Sequence, residues 1–330
     1  MNGPMKNKEM KSFFVYTWIT FLGLAFFVSC SDSGKENQEM VASEKKVEFP
    51  TFNSDSAYAF VKEQVDFGPR IPNSPEHTHA GDKIIERLKA YGAEVKVQSF
   101  EATTYDNVTL ELRNIMGSFN PSAKKRILLA THWDTRPWAS KDPENPSAQF
   151  DGANDGASGV GVLLEVARAL GGNQKPEVGV DLLFFDGEDW GEENGGNANS
   201  WCLGSQHWSK NKGSYTAYYG ILLDMVGAKG ARFPLEGYSY QMAKKVLEKV
   251  WGNASKIGHG QYFVAKKDGY IEDDHYYVNV LAKIPMIDIL DYRSDGFGDY
   301  HHTTKDNMTV IDRSTLKAVG ETVLYVVYAE

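Results

Sequence analysis

The 330-residue chain contains only two cysteines, Cys30 and Cys202. Two cysteines cannot build a disulfide scaffold, and their spacing does not match that of a zinc finger. The chain also lacks an excess of positive charge, because 44 acidic residues outnumber 35 basic ones and the formal net charge is −9. A surface that neutralises phosphates needs the opposite balance, so we expect no nucleic-acid partner.

Internal repeats are absent, and no low-complexity sequence occupies most of the chain. With 42% hydrophobic and 24% charged residues, the composition is that of a globular protein and not of a disordered one. After a polar segment at residues 31–47, which we interpret as a flexible tether, no second linker divides the chain. We therefore predict one folded domain over residues 48–330.

The N-terminus has the pattern of an export signal. Residues 1–11 are net basic, and an apolar run at residues 13–28 follows, which is short for a membrane-spanning helix. Cys30 stands where a bacterial lipoprotein signal places its lipidated cysteine. Residues 1–30 are thus predicted to be a signal peptide with a lipoprotein-type cysteine. The alternative is a plain signal peptide in which Cys30 is unmodified.

This pattern predicts a location as well as a processing site. We expect the protein to be exported and to be held at the bacterial periplasm or cell surface as a lipoprotein. Any contact with the membrane would then run through a lipid anchor on Cys30, because the apolar run before it would be removed with the signal.

Helix-like and strand-like periodicities alternate from residue 49 to the end and predict an α/β fold. Four near-continuous apolar runs are typical of strands covered on both faces, at residues 126–131, 180–185, 221–223 and 284–290. An alternating antiparallel pair is predicted at residues 94–100 and 108–115. Amphipathic helices are predicted at residues 54–66, 75–91, 157–170, 238–250 and 314–329. The expected architecture is a central mixed, mostly parallel sheet flanked by helices.

Acidic residues and a histidine follow the buried runs. Because ligands bind outside the carboxyl ends of the strands in open α/β sheets, these side chains are expected to meet at one edge, where loops add further candidates. The predicted set is His132, Asp155, Glu188, Asp189, Asp224 and His302. Each residue alone has an ordinary explanation, such as a turn or a helix cap. Together, carboxylates and imidazoles are what a zinc site requires, so the combination favours a metal site.

Several motifs resemble those of the zinc-dependent exopeptidases of the aminopeptidase type. They are Asn-Asp-Gly-Ala-Ser-Gly-Val at 154–160, Glu188-Asp189, Leu-Asp-Met-Val-Gly at 223–227, and His302. Within that group, further segments resemble the glutaminyl cyclases, especially the bacterial ones. These are Phe-Gly-Pro-Arg at 67–70, Phe-Phe-Asp-Gly-Glu at 184–188, Ile-Glu-Asp-Asp-His at 271–275, and His302-Thr303. The resemblance runs from about residue 54 to the C-terminus and implies a zinc exopeptidase-like catalytic domain.

The resemblance implies roles for individual residues. The implied zinc ligands are Asp155, Asp189 and His302. Glu188 would be the general acid/base, and Asp274 would lie in the active site and orient the proton transfer. His132 and Asp224 would be further ligands in a two-zinc aminopeptidase, or hydrogen-bonding residues in a one-zinc cyclase.

The chain departs from the family pattern at two positions. Asp189 stands where a second glutamate is common, and this shorter carboxylate can still reach a metal. His301 stands where cyclases often have a tryptophan just before the ligand histidine. The tryptophans that could line the pocket instead are Trp133, Trp138, Trp190 and Trp201.

The function that the resemblance implies is cyclisation of an N-terminal glutamine of a peptide or protein to pyroglutamate, with release of ammonia. One zinc would polarise the side-chain amide, and Glu188 would carry a proton from the α-amine to the leaving ammonia. The alternative is an aminopeptidase in which two zincs hold a water that Glu188 activates. A third possibility is a metal-free binding module on the same fold, which the loss of a ligand residue would indicate.

Overall fold

The computed structural model describes residues 47–193 and 197–330. The predicted signal peptide, Cys30 and all but the last residue of the predicted tether lie outside the described residues. The described residues fall within one compact unit, Lys46–Glu330. Among the helices in this part of the chain, none is both long enough and apolar enough to cross a membrane.

A six-stranded sheet forms the centre of the fold. The described strands are β1 (Glu94–Thr103), β2 (Thr109–Phe119), β3 (Arg126–His132), β4 (Gly179–Phe185), β5 (Tyr219–Asp224), β6 (Phe233–Glu236), β7 (Phe263–Asp268), β8 (Met286–Leu290), β9 (Tyr292–Arg293) and β10 (Gly296–Phe297). The order in the central sheet is β1-β2-β4-β3-β5-β8. Strands β4, β3, β5 and β8 are parallel, while β2 is antiparallel to both of its neighbours. The predicted mixed, mostly parallel sheet is confirmed, as is the antiparallel pair.

The described α-helices are α1 (Ser54–Phe67), α2 (Pro75–Ala90), α3 (Ala157–Gly171), α4 (Leu203–Asn211), α5 (Gly237–Met242), α6 (Lys244–Lys256), α7 (Asp274–Tyr277) and α8 (Arg313–Tyr328). Side-chain caps set several helix starts, because Asn53, Ser74 and Asp312 accept backbone N–H groups of α1, α2 and α8. The single helix predicted at residues 238–250 is wrong. Ala243, with φ −134° and ψ 33°, leaves the helical region and separates α5 from α6.

Apolar layers cover both faces of the sheet. In β3, Ile127 and Leu129 belong to a large cluster shared with α1, α3 and α8. Leu128 and Ala130 point to the other face and pack with Trp208 of α4. Alternate residues of one strand are therefore buried on opposite sides, which explains why the strands read as continuous apolar runs. With both faces covered, the ends of the strands are left to form a site.

Candidate active site

The carboxyl ends of the parallel strands meet at one edge of the sheet, as predicted. Strand β3 ends at His132 and β5 ends at Asp224. A cavity of about 320 Å³ opens at this edge. The predicted residues that line it are Asp155, Glu188, Asp189, Asp224 and His302. His132 is buried against Asp155 and Asp224, so the structure brings these six residues together.

The predicted ligands Asp155, Asp189 and His302 meet at the cavity, and there the ligand atoms of Asp155, His301 and His302 lie within 4.8 Å of one another. Nε2 of His302 lies 3.0 Å from Oδ1 of Asp189 and 3.7 Å from Oδ2 of Asp155. All three residues are buried, and Oδ2 of Asp189 has no hydrogen-bond partner among the described residues. Buried carboxylate oxygens without hydrogen bonds need another source of stabilisation. An ion held between these oxygens and the imidazole nitrogen would provide it, and this donor set suits zinc.

His132, Asp155 and Asp224 form a second group that shares Asp155 with the first. Nε2 of His132 lies 3.0 Å from Oδ1 of Asp155 and 3.2 Å from Oδ1 of Asp224. Gly156 lets the Asp155 loop approach the ring, because a Cβ at Gly156 would lie 2.6 Å from two ring atoms of His132. This second group can act as a hydrogen-bonded cluster or surround a second cation.

The loop that carries Glu188 and Asp189 is held by a buried carboxylate and a buried guanidinium. The two oxygens of Asp134 accept the backbone N–H groups of Glu188 and Asp189, each at 3.1 Å. Nη1 of Arg136 donates to the backbone carbonyl of Asp189 at 3.0 Å. Asp134 and Arg136 therefore fix the backbone of both acidic residues and limit how their side chains can enter the cavity.

The surroundings of Glu188 suit proton transfer. Burial raises the pKa of Glu188 well above its usual range, and the carboxylates of Asp189 and Asp273 raise it further against an opposing effect of His132. The Sγ–H of Cys202 lies 3.3 Å from Oε1 of Glu188 and can donate to it. A carboxyl group with a raised pKa can both accept and release a proton near neutral pH.

Three non-glycine residues at the cavity have left-handed backbone conformations. Cys202, Met225 and His302 have φ values of +56°, +48° and +55°. Met225 and His302 line the cavity, and Cys202 contacts Glu188. Such conformations cost on the order of 1–3 kcal/mol each and are concentrated at functional sites.

Asp274 lies behind the cavity, whereas its neighbour Asp273 lines it. Asp274 is fully buried at the start of α7, and burial together with the carboxylate of Asp273 raises its pKa well above the usual range. A carboxylate oxygen of Asp273 lies within 4.8 Å of ligand atoms of Glu188 and Cys202. Asp273 was not among the sequence candidates, although it belongs to the same Glu-Asp-Asp-His segment. The predicted role of Asp274, to orient the proton transfer, stays a prediction.

Comparison with known proteins agrees with this geometry. Residues 114–327 match peptidase family M28. The chain belongs to this family. A glutaminyl cyclase from Bacteroides thetaiotaomicron, solved with N-acetylhistamine bound, is 48% identical, and the match covers 86% of this chain and 100% of that one with a TM-score of 0.83.

Two further relatives bear on the same point. A zinc-dependent exopeptidase from Parabacteroides distasonis is 49% identical, with the same coverage and the same TM-score. The glutaminyl-peptide cyclotransferase of Drosophila melanogaster is 26% identical over an alignment of 272 positions, which covers 75% of this chain and 73% of that one. The predicted zinc exopeptidase-like fold and the resemblance to glutaminyl cyclases are confirmed.

One of the four tryptophans that the sequence offered as pocket residues lines the cavity of this protein. Trp201 lines the cavity, and its ring is nearly parallel to that of His302, with a 6.0 Å centroid separation. Trp133 is instead buried against the His77 ring at 4.2 Å. Trp138 and Trp190 pack against each other edge to face. His301 also lines the cavity.

Proposed function

We propose that this M28 protein converts the N-terminal glutamine of peptides or proteins to pyroglutamate and releases ammonia. The observation that carries this proposal is the 48% identity to a bacterial glutaminyl cyclase over that chain's whole length. The site geometry supports it, because a proton-transfer residue, Glu188, lines the same cavity as a group of buried ligand atoms. Each of the six convergent positions carries a carboxylate or an imidazole, which argues against a metal-free binding module.

Asp155, Asp189 and His302 would hold one zinc ion. When bound, zinc supplies a Lewis acid that polarises the side-chain amide of the substrate. Asp189 has an unpaired oxygen, Oδ2, and its Oδ1 faces Nε2 of His302 at 3.0 Å, which supports this ligand set over one that includes Glu188, whose carboxylate accepts a hydrogen bond from Cys202. A single metal per chain is the count we expect.

Besides the metal, the cyclisation needs an oriented substrate and one group that moves protons. The α-amine nitrogen attacks the side-chain amide carbon, so a new carbon–nitrogen bond forms as the bond to the leaving nitrogen breaks. Glu188 takes a proton from the amine and delivers one to the departing ammonia. Attack within one residue requires no activated water, and holding the terminal residue in the cavity supplies much of the rate. Asp224, which also lines the cavity, can accept a hydrogen bond from the α-amine.

A mass measurement on one peptide tests this function directly. The purified protein is incubated with a peptide that begins with glutamine, and the product is weighed. Loss of ammonia alone supports the cyclase, whereas loss of the whole first residue would show a peptidase. The matched control is the same peptide acetylated at its N-terminus, which has no free amine to attack and is expected to remain unchanged.

An aminopeptidase is the second candidate because of one specific observation. His132, Asp155 and Asp224 offer ligand atoms that lie within 4.8 Å of one another, and Asp155 is shared with the first group. A carboxylate between two ligand groups is what a two-metal hydrolase requires. In that reaction Glu188 would act on a water molecule instead of the substrate amine.

We also propose that the protein is exported and anchored through a lipid on Cys30. The basic segment, the short apolar run and the position of Cys30 support this proposal. Its substrates would then be peptide or protein N-termini outside the cytoplasm.

A further inference from the structure

The two ring nitrogens of His302 face different carboxylates. Nε2 faces Asp189 and Asp155, while Nδ1 lies 3.0 Å from Oε1 of Glu193. A neutral imidazole that donates its Nδ1 proton to Glu193 keeps a lone pair on Nε2. The contact with Glu193 therefore selects the tautomer that can bind an ion on the side of Asp155 and Asp189.

Glu193 is itself held by two cationic side chains. Nζ of Lys141 lies 3.3 Å from its Oε1, and Nη2 of Arg136 lies 3.7 Å from its Oε2. Glu193 is thus a fixed carboxylate acceptor for the Nδ1 proton.

Arg136 connects this carboxylate to a second member of the ligand group. Its Nη1 donates to the backbone carbonyl of Asp189 at 3.0 Å and lies 3.6 Å from Oδ1 of the same residue. Arg136 is only 1% exposed, and its guanidinium also donates to Ser140 and to the backbone carbonyl of Gly191, so its position is fixed. One buried guanidinium therefore orients Asp189 directly and His302 through Glu193.

We infer that Glu193 is a positioning residue for the metal site: it holds His302 in the ring orientation and tautomer in which Nε2 binds the ion. The inference rests on the proposed metal site and adds to it a residue that the sequence motifs did not indicate. Carboxylates that accept the second N–H of a metal-binding histidine typically contribute about 10–100-fold to metal affinity or activity.

Zinc affinity, measured by competition with a chromophoric chelator and without substrate, tests the inference. Glu193→Ala is expected to bind zinc about 10–100-fold more weakly than the wild type. Glu193→Gln keeps an acceptor oxygen without the charge, so its zinc affinity is expected to lie between that of the wild type and that of Glu193→Ala. The matched control is Glu192→Ala, because Glu192 lines the same cavity but makes no hydrogen bond or ion pair with His302 within the described ranges. This control is expected to bind zinc as the wild type does.

Thermal unfolding of the zinc-free proteins separates positioning from a general structural role. Zinc-free Glu193→Ala is expected to unfold at the same temperature as the zinc-free wild type. A large decrease of this unfolding temperature in both Glu193→Ala and Glu193→Gln would overturn the inference. So would a Glu193→Ala variant that binds zinc as tightly as the wild type does. A wild-type protein that binds no zinc would instead overturn the proposed metal site, and the inference with it.

Discussion

Oδ1 of Asp155 lies 3.0 Å from Nε2 of His132. The other oxygen of the same carboxylate lies 3.7 Å from Nε2 of His302, so Asp155 stands between two imidazoles. In a two-zinc hydrolase each of the two groups would hold a metal, and Asp155 would belong to both groups. In a one-zinc cyclase Asp155 would hold the single metal together with His302 and would accept a hydrogen bond from His132. The two candidate functions therefore differ in what His132 does.

We expect one zinc per chain and an imidazole at His132 that forms hydrogen bonds. His132→Ala should then leave the zinc content unchanged, as measured by elemental analysis of the purified protein, although it disturbs the cavity. Two tightly bound zincs in the wild type, one of them lost in His132→Ala, would instead favour the aminopeptidase.

Exhaustive chelation should abolish the activity, and added zinc should restore it. Full activity without any metal would contradict the metal site itself.

Part of the site could be predicted from the sequence because the residues that follow buried parallel strands lie together at one edge of the sheet. Strands β3, β4 and β5 are covered on both faces, so their apolar runs are visible in the sequence and their ends are clear. Polar residues directly after such runs, among them His132, Glu188 and Asp224, must lie at the edge where the strands end. Local sequence was therefore sufficient to find them.

Features that depend on distant contacts were not visible in the same way. Glu193 lies 109 residues from His302, and nothing near either residue signals their hydrogen bond. The apolar period continues through Ala243, so the break between α5 and α6 left no mark in the pattern. Asp273 faces the cavity and Asp274 does not, because α7 begins between them, with Asp273 as its cap and Asp274 as its first residue. The sequence alone did not show where this helix begins.

Glu188→Gln should retain zinc and lower the turnover on the order of a hundredfold or more. The amide keeps the size of the side chain and can still interact with Cys202, but it can no longer accept the proton of the α-amine. Steady-state kinetics with a glutamine-initiated peptide, together with the zinc content of the variant, check this outcome. If the variant lost its metal, Glu188 would be a ligand, and the roles of Glu188 and Asp189 would have to be exchanged.

Cys30→Ser should abolish lipidation of the protein in a bacterial host. In cells grown with a labelled fatty acid, we expect label in the wild-type chain and its recovery in the membrane fraction. Cys202→Ser is the matched control, because Cys202 is the other cysteine of the chain and is buried beside Glu188. This variant should keep the label. A wild-type protein without label would point to a plain signal peptide.

Glu236 should make the stability of the protein sensitive to acid. Its carboxylate accepts the backbone N–H groups of Tyr238, Ser239 and Ile271, and it pairs with His275 at 3.0 Å. Burial opposes the charge, yet these hydrogen bonds lower the pKa of Glu236 from 4.5 to about 2. Because the folded pKa lies below the unfolded one, the stabilisation is complete above the unfolded pKa and is lost as the pH falls toward 2.

Urea unfolding of the wild type and of Glu236→Gln, both in the presence of chelator, measures this contribution. At pH 7 the variant should have the lower free energy of unfolding, with a pH-dependent share of at most about 3 kcal/mol. This difference should narrow as the pH is lowered from 5 toward 3, because the carboxylate of the unfolded wild-type chain then becomes protonated while that of the folded chain stays ionised. Glu248→Gln is the control, since Glu248 is exposed in its pair with Lys244 and should contribute little at any pH. A difference between Glu236→Gln and the wild type that stayed constant with pH would show that packing, and not the charge of Glu236, accounts for its effect.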